Sequence, residues 1–216
     1  TIFSLLEGRY ANANIRRRYE TWQLTPRMVM VSFGVDKQFP PGSFENIVAF
    51  QRPITVGPET FPQMWFRTFD YDPTLTPPGK SLVQGLLFSR DFNYWAALQE
   101  DRPHYEAEKQ RAAAEVLDRL EPHLPGLSAH VEVTDVASPY TFWRYARCYQ
   151  GAAIGFAMTP ERLGGYVKKT LPGLKNFYMA GQWLEPGGGV PIAVHSARQT
   201  VQLLCHHDGK AFHTDI

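Results

Sequence analysis

Apolar and polar residues alternate along 28–35, so Val29, Val31, Phe33 and Val35 share one face of a predicted strand. Upstream, residues 4–22 carry scattered apolar side chains (Leu5, Leu6, Tyr10, Ile15, Tyr19) and no proline, which predicts a helix broken by Thr25-Pro26. Pro40-Pro41-Gly42 reads as a turn and 46–50 as a short strand. Along 63–69, Met64 and Phe66 point one way and Trp65 and Phe69 the other, the pattern of a strand covered on both faces. A rigid connection from Asp72-Pro73 to Pro77-Pro78-Gly79 leads to a fourth strand at 82–88.

Asp101-Arg102-Pro103 combines a capping carboxylate with a first-turn proline. The stripe Tyr105, Ala112, Val116, Leu117, Leu120 then predicts a helix ending near Pro122. Val131 and Val133 mark a fifth strand, and Ser138-Pro139 opens a short aromatic helix over 140–147. The small apolar segment 151–156 predicts tight packing. Near the C-terminus, the run Phe177-Tyr178-Met179-Ala180-Gly181 precedes Pro186-Gly187-Gly188-Gly189 and the periodic residues Val190, Val194, Ala197, Val201 and Leu204. That order reads as strand, glycine turn and core-anchored helix. The class expected is α+β: a mostly antiparallel sheet flanked by helices, closed by a strand and helix of a different layer.

Composition narrows the partners. The 216 residues carry a formal charge of +1, which offers no electrostatic case for nucleic acid. Arg16-Arg17-Arg18 reads as the wet face of a helix. Cys148 and Cys205 stand in no metal or redox spacing and fit a reducing, cytoplasmic compartment. No apolar run approaches the ~20 residues of a membrane span. The opening Thr1-Ile2-Phe3-Ser4 has neither an initiator Met nor a signal pattern, and suggests a chain cut from something longer.

The candidate chemistry centres on the glycines. A dinucleotide fingerprint needs Gly or Ala at its third position, and Ile192 stands there instead. Glycines followed by a helix N-terminus still suit one wall of a cofactor site, since they admit close backbone approach and present a positive helix end. A merely packed glycine turn fits the same residues, and both readings stay open at this level. His195 and Ser196 are helix neighbours about 100° apart and make no nucleophile–base pair. His206, His207, Asp208 and His213 read as solvated tail residues, so no metal site is expected. Arg144 beside Tyr145 reads as a structural ion-pairing residue, with approach to an anionic cofactor group as the alternative. No catalytic acid or base stands out.

Taken together, Tyr178-Met179-Ala180-Gly181 and Pro186-Gly187-Gly188-Gly189-Val190-Pro191 resemble the C-terminal flavin motif of the phytoene desaturase, carotenoid isomerase and retinol saturase group, within the amine-oxidase-like flavoproteins. Asp72-Pro73 with Leu75 to Lys80, Ser138 to Tyr145, and Gly151 to Gly155 look like the group's upstream segments in order. The resemblance implies that residues 1–172 are a substrate-domain portion, 173–206 the last strand and helix of a FAD/NAD(P)-binding domain, and 207–216 a tail. It implies FAD near Gly181, Gln182, Trp183, Gly187, Gly188, Gly189 and Val190. An apolar, isoprenoid-like substrate would lie along the sheet, lined by Met64, Phe66, Phe142 and Trp143. The group's N-terminal Gly-x-Gly-x-x-Gly unit is not in this sequence, so the chain alone is expected to hold FAD weakly or not at all. A missing N-terminal half or a partner chain, self-association and peripheral membrane contact are the implied interactions. The rival expectation is a non-catalytic module that binds an apolar ligand or a partner.

Overall fold

In chain order the elements are α1 (Ala13–Thr21), β1 (Arg27–Val35), β2 (Glu45–Val56), β3 (Glu59–Thr68), β4 (Ser81–Ser89), α2 (Phe92–Leu98), α3 (Arg102–Leu120), β5 (Val131–Ala137), α4 (Pro139–Ala146) and α5 (Gly189–His207). The computed structural model describes residues 2–40, 45–162 and 165–214. The turn expected at Pro40-Pro41-Gly42 falls, from Pro41 on, outside them. By contacts the chain divides into Pro26–Ala153 and a second unit of Thr1–Thr25 with Ile154–Ile216.

Pro26–Ala153 is built on a five-stranded antiparallel sheet in the order β2-β3-β4-β1-β5. The alternation in β1 has its expected effect: Val29, Val31, Phe33 and Val35 are all buried. They form one core with Val83 and Leu87 of β4 and with Tyr105, Ala112, Ala113, Val116 and Leu120 of α3. Gly85 sets the approach of helix to sheet, because a Cβ there would lie 2.6 Å from Val116 Cγ1. Asp101 caps α3 through the His104 N–H, with proline in the first turn as the sequence predicts.

Two strands differ from expectation. β2 runs on through Pro53 to Val56, with a register shift between Ala49 and Ile54. Proline's missing N–H is tolerated there because β2 is an edge strand. β3 is not covered on both faces. Phe61, Met64 and Phe66 are buried, but Trp65 is only half-buried and meets Phe88 of β4 edge-on at 5.4 Å. This cross-strand aromatic pair accounts for the outward apolar residue without a second layer. Helix α2 carries no strong periodic signal. It is started by Asp91, which accepts from the Tyr94 N–H, and is anchored by buried Trp95.

In the second unit, the helix expected over 4–22 is shortened to α1. Left-handed backbone at Glu7 (φ 51°) and Gly8 (φ 68°) interrupts the early residues, and Asn12 restarts the chain by accepting from the Ile15 N–H. No strand forms within 165–188 among the described residues. A strand requires a continuous backbone ladder. Here the segment makes isolated bonds instead, Met179 N–H to Lys169 C=O (2.7 Å) and Val167 N–H to Leu184 C=O (2.6 Å).

The final helix forms as predicted, but its orientation is a correction. Its buried residues are Ser196 and Thr200, whereas Val190, Val194 and Val201 of the supposed core stripe are 76%, 64% and 46% exposed. Two hydroxyls hold this face because the carbonyls of Met179 and Gly181 lack strand partners and accept from them.

Candidate functional site

The glycine turn is held in place from both ends. Ser196 Oγ accepts from the Gly181 N–H at 2.8 Å and donates to the carbonyl of Ala193 (3.0 Å) or Gly181 (3.1 Å). One turn later, Thr200 Oγ1 donates to the carbonyl of Met179 (2.9 Å) or Ser196 (2.8 Å). Gln182 Oε1 accepts from the Gly189 N–H at 2.9 Å, satisfying one of the first-turn donors of α5. Trp183 meets Phe156 edge-on at 5.2 Å, and that ring is fully buried with Val167 and Leu184.

The glycines do different jobs. At Gly188 (φ 52°) a Cβ would lie 1.5 Å from the Ile154 carbonyl oxygen, so this position is closed by packing. Gly187 is half-closed, with Met158 Cε at 2.8 Å and its own N–H donated to the Phe156 carbonyl. Gly181 (φ 123°) faces open space, with nothing within 4 Å of where a Cβ would lie, and Gly189 (φ 75°) meets only Pro191 Cδ at 3.8 Å. A ligand can therefore touch bare backbone at Gly181 and Gly189 but not at Gly188. Val190, on the first turn of α5, is exposed next to Gly189. No acidic residue lies in that turn and no side chain of Gly188 caps it, so the positive helix end is unneutralised from within.

The other expected ligand-lining residues belong to Pro26–Ala153. Met64 and Phe66 are core side chains, 1% and 7% exposed. Phe142 and Trp143, half-buried on α4, retain accessible surface. Their helix is fixed by a capping box: Ser138 accepts from the Thr141 N–H and Thr141 Oγ1 accepts from the Ser138 N–H. Tyr105 OH bonds buried Ser138 Oγ at 2.8 Å, tying α4 to α3. The ion pair expected of Arg144 is not formed among the described residues. Its guanidinium instead lies over the Tyr145 ring at 4.5 Å, and Arg147 lies over Trp143 at 4.6 Å.

Among the described residues, no group of three or more His, Cys, Asp or Glu side chains could hold a metal ion. His207 Nδ1 is bonded to Tyr178 OH at 2.6 Å. No described helix is long and apolar enough to cross a membrane. Burial raises the Cys148 thiol pKa, which suits an inert core thiol rather than a nucleophile. The residues missed by sequence reasoning are Ser196 and Thr200. Their signal was a pair of hydroxyls four apart, on one face of the helix.

No protein-family model matches the chain. It is 28% identical over 142 residues to 4,4'-diapolycopen-4-al dehydrogenase of Metabacillus indicus, covering 64% of this chain and 27% of that protein. It is 26% identical over 113 residues to 4,4'-diaponeurosporene oxygenase of Staphylococcus aureus, covering 51% of this chain and 23% of the relative. The chain thus matches only about a quarter of the length of each of these curated relatives. Both similarities are distant, and both are to proteins named as carotenoid oxidoreductases.

Proposed function

We propose that this chain is the C-terminal portion of a FAD-dependent oxidoreductase acting on an apolar, isoprenoid-like substrate, and that its glycine turn is one wall of the flavin site. The observation that carries the reading is the pair of open glycine backbones, Gly189 at the N-terminus of α5 and Gly181 against Ser196 of the same helix. The distant similarity to two carotenoid oxidoreductases supports the substrate class.

The residues present fit a flavin: bare backbone permits close approach, and the helix end favours negative charge. The bare Cα faces of Gly181 and Gly189, whose N–H groups are already bonded to Ser196 and Gln182, would pack against the flavin together with Val190. Gln182 and Ser196 would set the height of the two glycine segments, while Gly187, Gly188 and Trp183 would support the turn from behind. When bound, the flavin supplies hydride transfer to or from a carbon–carbon bond. The chain's own part is to position that ring and stabilise negative charge on it with a fixed dipole. Phe142 and Trp143 would offer the apolar substrate surface, with Met64 and Phe66 forming the packed floor of their unit.

Titration of the purified chain with FAD, followed by tryptophan quenching and flavin fluorescence, tests the proposal. Weak saturable binding that disappears in Gly189→Val is expected. Saturable binding left unchanged in a folded Gly189→Val would sink the flavin-wall reading, and tight stoichiometric binding would remove the need for a second wall. The rival reading is a non-catalytic interaction module, and the exposed stripe Val190, Val194 and Val201 favours it. On either reading that stripe is the surface for a second protein segment or another copy.

A further inference from the structure

On a different side of α5 from that stripe lies a cavity of about 670 Å³. This volume falls within the usual range for small-molecule sites. Ile192, Leu203, Met158 and Pro186 supply apolar lining, and Arg162 and Lys168 stand among its polar residues. Among the described lining residues the one carboxylate, Glu185, is already shared by Lys169 Nζ at 3.4 Å and His195 Nδ1 at 3.3 Å. Neither Arg162 nor Lys168 forms an ion pair among the described residues. Arg162 donates to the carbonyls of Thr21 and Gln23, which fix its position without cancelling its charge. Arg18, donating to the Tyr166 carbonyl beside the rim, adds a further positive charge.

We propose that this cavity binds an amphipathic anion: a single apolar chain whose anionic oxygen head meets Arg162 and Lys168, with its tail against Ile192 and Leu203. An apolar surface beside these cations favours such a molecule over a neutral chain, which would leave Lys168 without a counter-charge. It also favours it over a compact anion, which would leave the apolar lining wet. The site does not use the open glycines and stands independently of the flavin reading.

Calorimetric titration of the full chain with decanoate, dodecanoate, dodecyl phosphate and methyl dodecanoate, each below its micellar concentration, is the test. Saturable one-to-one binding of the anions is expected, with affinity rising about fourfold per methylene. The methyl ester should bind about tenfold more weakly or worse, corresponding to loss of a charge-assisted contact. The carboxylate and phosphate arms identify the head preferred, and either preference supports the site. Lys168→Glu replaces an exposed side chain, so its fold should be kept while anion affinity falls at least about tenfold. Ile192→Trp should block the tail. Equal affinity for the ester, or unchanged binding in a folded Lys168→Glu, overturns the proposal.

Discussion

At the residue scale, similar glycines are required for different reasons, and the difference can be measured. Gly188→Ala combines left-handed backbone with a methyl 1.5 Å from the Ile154 carbonyl oxygen. It should cost at least about 2–4 kcal/mol, summing strain and overpacking. Gly181→Ala meets no atoms within 4 Å, so it should cost only the conformational part, about 1–3 kcal/mol. Urea midpoints at constant slope would rank them, and equal losses would contradict the packing assigned to Gly188. Glu121 gives a pH prediction. Its carboxylate accepts from the hydroxyl and N–H of Ser128 and from the Gly126 N–H, which lowers its pKa. A depressed folded pKa contributes stability above the ordinary glutamate value, about 4.3, and that contribution fades as pH falls through the folded value. Glu121→Gln should therefore be less stable than the parent at pH 7, with the gap closing under acid unfolding below about pH 4.

At the element scale, α4 depends on one buried serine. Ser138→Ala removes the helix cap and leaves Tyr105 OH without its 2.8 Å partner, although Thr141 Oγ1 remains at 3.2 Å. The expected loss is about 1–3 kcal/mol, with Ser138→Thr closer to the parent. Gly85 makes a similar point about the sheet and α3. Gly85→Ala should destabilise by about 1–3 kcal/mol. Trimming its neighbour in Gly85→Ala/Val116→Ala should recover part of that loss as a coupling energy in a double-mutant cycle. Additivity of the two changes would argue against their contact.

At the scale of the whole molecule, Pro26–Ala153 has its own sheet and a continuous core. Its ends are joined by Arg27, whose guanidinium donates to the Gln150 carbonyl at 3.0 Å. A fragment of residues 26–153 should unfold cooperatively with the near-UV signature of its aromatic core; a non-cooperative transition would show that the core is insufficient alone. The valine stripe of α5 belongs to this scale too, because its meaning lies in what covers it. Val194→Lys with Val201→Lys should leave stability within about 0.5 kcal/mol, as surface changes do. In sedimentation at rising concentration, the same variant should lose any self-association the parent shows.

The local signals in the sequence determined most of Pro26–Ala153. Alternation marked the inward residues of β1, and cap-plus-proline pairs marked the starts of α3 and α4. The periodic stripe marked the buried face of α3. Each depends on neighbours only a few residues away, so the chain itself states it. The glycine turn and the existence of α5 were legible for the same reason. Tertiary structure alone decided which side of α5 is buried, because burial depends on what lies opposite. Without a ladder for residues 177–181, hydroxyls at Ser196 and Thr200 faced inward and the valines faced out. It also decided which glycines are closed: φ can be anticipated from residue type, but only Ile154, distant in sequence, tells Gly188 from Gly181.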